Sequence, residues 1–131
     1  MRSSSRTSAR AQVRELTVYP GDQIEELKVG CRAVAACQDG GVEYLLLEGL
    51  VLPSGCSPSV TDALLCPTPR DNYPNRLFFA EQVQSGFARN WNFNGRICER
   101  NWHGYSWKTD DPRPMRLAQI VRIHLDGFRR A

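Results

Sequence analysis

Residues 31–52, CRAVAACQDGGVEYLLLEGLVL, decide the fold that the sequence predicts. They consist of two apolar runs, 31–37 and 42–52, separated by the turn-forming residues Asp39-Gly40-Gly41. Two strand-length apolar runs joined by a glycine-rich turn are typical of a β-hairpin. Two further apolar runs, 60–66 and 77–83, follow after proline-containing loops. Because short connections favour antiparallel neighbours, the sequence predicts a four-stranded antiparallel meander.

A helix is expected on each side of these strands. The residues DQIE at 22–25 are typical of a capping box that opens a short helix, and Gly30 is a suitable stop. After Pro114, apolar residues recur with helical spacing at Met115, Ala118, Ile120, Leu125 and Phe128. The sequence therefore predicts one α+β domain with its helices packed on one face of the sheet.

The segment 84–111 has a different character, because it is rich in Asn, Gly, Trp and Arg and lacks sustained periodicity. We expect it to be a long irregular loop. A loop of this length inside a compact domain is uncommon, and such loops are usually functional.

Charge and hydropathy exclude several classes of protein. The formal net charge is +3, but residues 15–128 hold eleven Lys and Arg against fourteen Asp and Glu. A nucleic-acid-binding domain is expected to carry a basic surface on its folded body, so the sequence disfavours that function. No apolar stretch is long enough to span a bilayer, and no secretory signal follows the basic start, so we expect a cytoplasmic protein without a membrane partner. The composition predicts a disordered basic tail at 1–14 and a single domain at 15–131.

Five cysteines, at positions 31, 37, 56, 66 and 98, contain no CxxC pair. We therefore expect no structural metal and no cofactor. Cys31 and Cys37 are six residues apart in a strand-like run, which predicts that both lie on one face. In a reducing cytosol Cys31, Cys37 and Cys66 are interpreted as small, buried, unpaired apolar residues.

Cys98 differs from the other cysteines in its surroundings. Arg96 and Arg100 flank it at two residues on either side, and nearby cations favour the nucleophilic thiolate. Side-chain amides at Asn90, Asn92 and Asn94 could donate hydrogen bonds to an oxyanion during acyl transfer. The simpler alternatives are that Trp91, Trp102 and Trp107 cover the sheet, and that His103 is a solvated loop residue and not a proton-transfer group. His124, on the predicted last helix, is interpreted as structural or solvated. A cysteine protease is disfavoured, because His103 is only five residues from Cys98 and no nucleophile-at-helix-start signature is present.

Two sets of motifs carry a resemblance to a known family. Tyr73-Pro74, Leu77-Phe78-Phe79 and Asn94-Gly95-Arg96-Ile97-Cys98 resemble the Tyr-Pro strand and the Asn-Gly-x-Ile-Cys active-site segment of ubiquitin-conjugating enzymes. Over residues 20–128 the chain is also similar to a bacterial branch of this superfamily. That second similarity rests on Leu52-Pro53-x-Gly55, the Tyr-Pro strand, and Phe93-x-Gly95-Arg96-x-x-Glu99-Arg100 followed by tryptophans and His103.

The resemblance implies a ubiquitin-conjugating-enzyme-like fold, with an N-terminal helix, a four-stranded antiparallel meander, a long active-site loop and a C-terminal helix. It implies that Cys98 receives the C-terminal glycyl group of a ubiquitin-like protein from an activating enzyme as a thioester. The acyl group then passes to an acceptor protein or small molecule, with Arg100 and His103 on the acceptor side.

The chain departs from the family in two places. Asn90 has the family's spacing of eight residues before the cysteine, but Ala88-Arg89 stands where the family has His-Pro. Asn92 or Asn94 could serve in place of Asn90. Many members of the bacterial branch carry another residue where Cys98 stands, so the alternative is a non-catalytic adaptor of the same fold that binds a ubiquitin-like protein or an activating enzyme.

Overall fold

The computed structural model describes residues 17–107 and 115–130. These residues form one antiparallel sheet of six strands, in the order β1-β2-β3-β4-β6-β5, and two helices. The elements are α1 (Gly21–Leu27), β1 (Ala33–Asp39), β2 (Val42–Val51), β3 (Val60–Cys66), β4 (Arg76–Phe79), β5 (Trp91–Ile97), β6 (Arg100–Tyr105) and α2 (Leu117–Asp126). The predicted tail at 1–14 lies outside the described residues.

The first four strands form the antiparallel meander that their apolar runs predict. The β1–β2 hairpin closes at the pair Asp39 and Val42, with Gly40 and Gly41 at φ of +61° and +80° in the turn. Glycine adopts this left-handed conformation without a Cβ clash, which is why the Gly-Gly turn predicts the hairpin correctly. Strand β4 ends at Phe79, four residues earlier than the apolar run at 77–83 suggests.

The predicted ubiquitin-conjugating-enzyme-like fold is wrong, because the sheet has six strands where that fold was expected to have four. The segment 84–111, expected to be a long loop, supplies β5 and β6, and β6 pairs with β4 while β5 forms the sheet edge. Both strands are partly exposed, and Gly, Asn and Arg occupy many of their positions. Their apolar alternation is therefore too sparse to reveal strands in the sequence.

One face of the sheet packs against both helices and forms the larger core. We call this the helix-side core; its buried residues include Leu45, Leu47, Leu65, Phe79, Tyr105, Leu117, Ile120 and Phe128. Helix α2 matches its prediction and buries Leu117, Ile120 and Val121. Helix α1 has no side-chain cap, so the predicted capping box at 22–25 is absent. Asp22 and Glu26 instead bind the guanidinium of Arg116, which ties α1 to the start of α2.

The opposite face carries a second, smaller core that neither α1 nor α2 covers. We call it the tip-side core; it consists of Cys37, Tyr44, Leu64, Cys66, Phe78, Ile97 and Trp102. It is closed by the sheet itself, because the tip of the β1–β2 hairpin meets the tip of the β5–β6 hairpin. In a flat sheet β1 and β6 would lie roughly 20 Å apart, yet the Cα atoms of Cys37 and Cys98 are 6.4 Å apart. The sheet is therefore strongly curled.

Within the described ranges neither helix has the length and apolar character needed to cross a membrane.

Candidate functional site at the Cys98 hairpin tip

Cys98 and Glu99 are the two turn residues of the β5–β6 hairpin, and Ile97 and Arg100 form its last strand pair. Their φ angles are 52° and 65°. A two-residue hairpin turn with positive φ at both positions is a type I′ turn, which normally prefers Asn and Gly. The turn places Cys98 at the projecting end of the hairpin, where it is partly exposed. The sequence does not reveal this turn, because neither residue is the type that it favours.

The Cys98 sulfur forms a disulfide bond with Cys37, 61 residues earlier in the chain. Cys37 is only 2% exposed and belongs to the tip-side core. A second contact supports the same junction, since the Cys98 N–H donates to Asp39 Oδ2 at 2.7 Å. We call Cys37, Asp39 and Cys98 the tip junction. Neither Cys37 nor Asp39 was identified from the sequence as part of a site.

The remaining cysteines, Cys31, Cys56 and Cys66, are free. Cys66 is buried and free as predicted, Cys31 is free but only partly buried, and Cys37 is buried but disulfide-bonded. Cys31 precedes β1 and packs against the helix-side core, whereas Cys37 faces the tip-side core. The prediction that these two cysteines share a face is therefore wrong, because the strand begins only at Ala33. Burial raises the pKa of the Cys31 and Cys56 thiols above the ordinary value.

Arg100 lies on the tip-side face close to Cys98. Its guanidinium carbon is 4.8 Å from the centre of the Trp102 ring, and its Nη2 is 3.1 Å from Asp62 Oδ2. The same aspartate accepts the Gly49 N–H through Oδ1 at 2.9 Å. Arg100 thus joins the hairpin tip to the middle of the sheet through a cation–π contact and an ion pair.

Asn94 and His103 form a cross-strand pair, but on the other face of the sheet. Successive side chains alternate along a strand, so His103 points away from the face that Trp102 occupies. His103 also pairs with Phe79 of β4, and its Nδ1 is buried without a hydrogen-bond partner among the described residues. The structure therefore brings Asn94 and His103 together, but not onto the face of the tip junction.

Asn90 directly precedes β5 and Asn92 lies near its start, at the end of the strand far from Cys98. Eight residues of extended chain separate Asn90 from Cys98, a span of about 25 Å. The Asn90 carbonyl accepts the Ser106 N–H at 2.8 Å. Asn92 occupies the irregular step between Trp91 and Phe93, and its amide is engaged on both sides, by Arg76 Nη2 at 2.9 Å and by the Tyr73 hydroxyl at 3.0 Å.

Arg76 is the centre of a buried polar network that sequence reasoning missed. It is 3% exposed, bonds Asp71 Oδ2 at 3.0 Å and lies 4.5 Å from the centre of the Tyr73 ring. Tyr73 in turn donates to Ser106 Oγ at 2.9 Å. The Tyr73-Pro74 motif therefore contributes to a network that holds the start of β4 against β5 and β6. The one signal in the sequence is a charged residue directly before the apolar Leu77-Phe78-Phe79.

His124 is structural, in agreement with its simpler interpretation. It lies in α2, is 4% exposed, and its Nε2 is 2.6 Å from Asn75 Oδ1. Since an amide oxygen only accepts, Nε2 carries the proton. Burial, and secondarily the charge of Arg76, lower the pKa of His124 to about 4.

The three tryptophans pack on the sheet, as the simpler interpretation predicts. Trp91 and Trp107 contact the helix-side core, and the Trp107 indole N–H donates to the Ile123 carbonyl at 2.8 Å. Trp102 is fully buried in the tip-side core, and its indole N–H donates to the Ile97 carbonyl at 3.0 Å. This last bond joins β6 to the end of β5 and stiffens the hairpin at the residue that precedes Cys98.

The described part of the chain contains no group of three or more His, Cys, Asp or Glu side chains that could hold a metal ion. Comparison with protein-family models, with curated proteins and with solved structures finds no match to this chain.

Proposed function

We propose that this protein carries the C-terminal acyl group of a ubiquitin-like protein as a thioester on Cys98. It would receive that group from an activating enzyme and pass it to an acceptor protein or small molecule, in a bacterial, cytoplasmic conjugation pathway. The observation that carries the proposal is the position of Cys98, partly exposed in a turn that holds it at the projecting end of a hairpin. The similarity of Asn94-Gly95-Arg96-Ile97-Cys98 to an active-site segment of ubiquitin-conjugating enzymes supports it further.

The chemistry requires Cys98 as a free thiol. The Cys98 thiolate attacks the thioester carbonyl of the loaded activating enzyme, the Cys98 sulfur–carbon bond forms, and the activating enzyme's thiolate leaves. In the second step an acceptor nucleophile attacks the new carbonyl and Cys98 leaves as the thiolate. A thiolate is a better leaving group than an alkoxide. A cysteine therefore suits acyl carriage and a serine does not.

Stabilisation of the oxyanion has to come from groups at the tip. Asn92 is engaged by Arg76 and Tyr73, while Asn90 and Asn94 are not placed beside Cys98. The Cys98 N–H is bonded to Asp39, so the Arg100 guanidinium and the Glu99 N–H are the donors closest to Cys98 in the chain. We therefore assign the oxyanion role to this set in the proposed mechanism.

A second candidate function is a non-catalytic adaptor that binds a ubiquitin-like protein or an activating enzyme. It is favoured by the separation of Asn90, Asn94 and His103 from the Cys98 tip, and by the position of β5 at the edge of the sheet. An edge strand can accept an extended segment of a partner through backbone hydrogen bonds. In this case the Cys37–Cys98 bond would act only as a brace between the two hairpins.

The deciding experiment mixes the reduced chain with a bacterial ubiquitin-like protein and its activating enzyme, together with ATP. Acyl carriage predicts an adduct that thiols cleave, a thiol-resistant oxyester with Cys98→Ser, and no adduct with Cys98→Ala. Cys31→Ala is the matched control, since Cys31 is also partly exposed and should be dispensable. Stable binding without any adduct, unchanged in Cys98→Ala, would establish the adaptor instead.

A further inference from the structure

The two cysteines of the tip junction differ in their exposure to solvent. Cys37 is 2% exposed and is packed with Tyr44 and Trp102 in the tip-side core. Cys98 is partly exposed at the end of a hairpin. When one cysteine of a disulfide is buried and the other is partly exposed, attack is favoured at the sulfur of the exposed cysteine. An incoming thiolate therefore reaches Cys98 Sγ and displaces Cys37.

The contacts around the junction hold the two sulfurs together whether or not they are bonded. The Cys98 N–H donates to Asp39 Oδ2 at 2.7 Å, so the two hairpin tips are joined by a second bond that does not involve sulfur. Arg100 binds Asp62 and covers Trp102, and these contacts fix the tip of the same hairpin. After reduction, Cys98 would remain close to Cys37 and able to re-form the bond.

The other thiols are poorly suited to this chemistry. Cys66 is fully buried and Cys56 is 9% exposed. The Cys31 thiol is partly exposed, but its sulfur is within 3.2 Å of the Leu27 carbonyl, and burial raises its pKa. Exchange with a small thiol or disulfide is therefore expected to be selective for Cys98.

We propose that the Cys37–Cys98 pair is a reversible thiol–disulfide exchange site for low-molecular-weight thiols and disulfides, and that its oxidised form blocks acyl loading at Cys98. The first part stands on the geometry of the tip junction alone. The second part rests on the proposed function, because a sulfur bonded to Cys37 cannot attack a thioester.

The exchange balances with a small thiol as the only co-reactant. One thiolate attacks Cys98 Sγ, the Cys37–Cys98 bond breaks, and Cys37 leaves as a thiolate that takes a proton from water. A second thiolate then attacks the small-molecule sulfur of the mixed disulfide on Cys98. This step releases the small disulfide and the Cys98 thiolate. Two thiols are oxidised while one protein disulfide is reduced, and the reverse sequence re-forms the bond.

The first test equilibrates the full chain, with Cys31→Ser as background, in mixtures of reduced and oxidised glutathione. Acid quenching, alkylation and intact mass then give the fraction of chains that hold the disulfide. We expect this fraction to rise from about one tenth to about nine tenths over roughly a hundredfold fall in [GSH]²/[GSSG], as mass action requires for one dithiol pair. Adding Cys66→Ser should leave the curve unchanged. A pair that stays fully reduced or fully oxidised at every ratio would overturn the proposal.

Variants test which sulfur is attacked. With Cys37→Ser the resolving thiol is absent, so one glutathionyl group per chain should accumulate on Cys98. With Cys98→Ser, Cys37 should stay unmodified while the chain is folded. Cys37→Ala is the second variant in case a buried hydroxyl prevents folding. Equal modification of Cys37 and Cys98 would show that access does not direct the exchange, and would overturn the assignment.

The last test compares acyl loading of the oxidised and the reduced chain, each freed of small thiols beforehand. We expect at least about tenfold less adduct from the oxidised chain, and full recovery after reduction. Equal loading of both forms would overturn the block. A normal glutathione curve with no loading of either form would instead overturn the proposed acyl carriage and leave the exchange site standing.

Discussion

Arg76 places a guanidinium inside the protein, where its charge is balanced chiefly by the carboxylate of Asp71. Asp71 and Asn72 are themselves turn residues with φ of 55° and 69°, closed by two backbone bonds between Arg70 and Tyr73. The network therefore depends on a second tight turn that lacks glycine. Removing one partner of a buried ion pair costs more than the pair contributes, because the remaining charge is left uncompensated.

Asp71→Asn should lower the free energy of unfolding by about 1–2 kcal/mol, since Asp71 is partly exposed and water offsets some of the loss. Urea denaturation at pH 7 measures it. Asp22→Asn is the matched control: Asp22 also pairs with an arginine, but both side chains are exposed, so the change should be small. Equal losses in the two variants would mean that burial of Arg76 does not matter.

His124 gives the protein a predictable acid sensitivity. Its pKa in the folded state is about 4, below the value of about 6.5 expected in the unfolded chain, so the unfolded state binds a proton more readily. Stability from this group is fully present above pH 6.5 and is lost as the pH falls toward 4. The loss between pH 7.5 and 4.5 should be about 2–3 kcal/mol.

Denaturation midpoints for the wild type and for His124→Gln, measured across that pH range, test this expectation. Glutamine can still donate to Asn75 but does not titrate, so the variant should lack the additional slope. Exposed carboxylates contribute equally to both proteins and cancel in the difference. Parallel pH profiles would show that His124 is not the group responsible.

Among the elements, the strands of the meander could be predicted and the last hairpin could not. Strands β1 to β4 are apolar enough for their runs to be recognised, and the Gly-Gly turn marks the first hairpin. In β5 only Phe93 and Ile97 face the tip-side core, with glycine between them. The turn that follows contains Cys98 and Glu99 in a conformation typical of Asn and Gly, so the usual hairpin signal is missing.

Glu99→Gly should therefore stabilise the β5–β6 hairpin. The left-handed backbone conformation costs a residue with a Cβ about 1 kcal/mol of conformational free energy, and glycine does not pay this cost. We expect the free energy of unfolding to rise by about 1 kcal/mol, as measured by chemical denaturation. Glu99→Ala keeps the Cβ and also removes the carboxylate, so it should show no such gain. A gain in both variants would point to the charge instead of the backbone.

At the scale of the whole molecule, the site was only partly accessible from sequence. Cys98 could be singled out from its neighbours, but its partner could not, since Cys37 lies 61 residues earlier and looks like an ordinary strand residue. Their meeting depends on the curl of the full sheet, which no local pattern encodes. The extended strand β5 separates Asn90 from Cys98, although the spacing in the sequence resembles that of the family motif.

The Cys37–Cys98 bond should contribute substantially to global stability. Closing a loop of this length removes unfolded-chain entropy worth about 4 kcal/mol at 25 °C. Guanidinium denaturation with and without a reductant should show a difference of that order in the wild type. Cys37→Ala should abolish the dependence on the reductant. Cys66→Ala, in the same core, should lower the free energy of unfolding but keep the dependence on the reductant. A wild type indifferent to the reductant would contradict this expectation.

The strand order also has a consequence for synthesis on the ribosome. The chain emerges from its N-terminus, so β1 to β4 can pair in sequence while β5 and β6 are still being made. Strand β5 is then translated before the strand that must separate it from β4. β5 cannot pair with the sheet until β6 has been made and has paired with β4. The two strands are therefore expected to join the sheet together, as a preformed hairpin. Until then Phe78 and Leu64 lack the indole of Trp102 that completes their side of the sheet. A nascent chain that has emerged from the ribosome only as far as residues 80–100 should therefore be the form that most needs a chaperone.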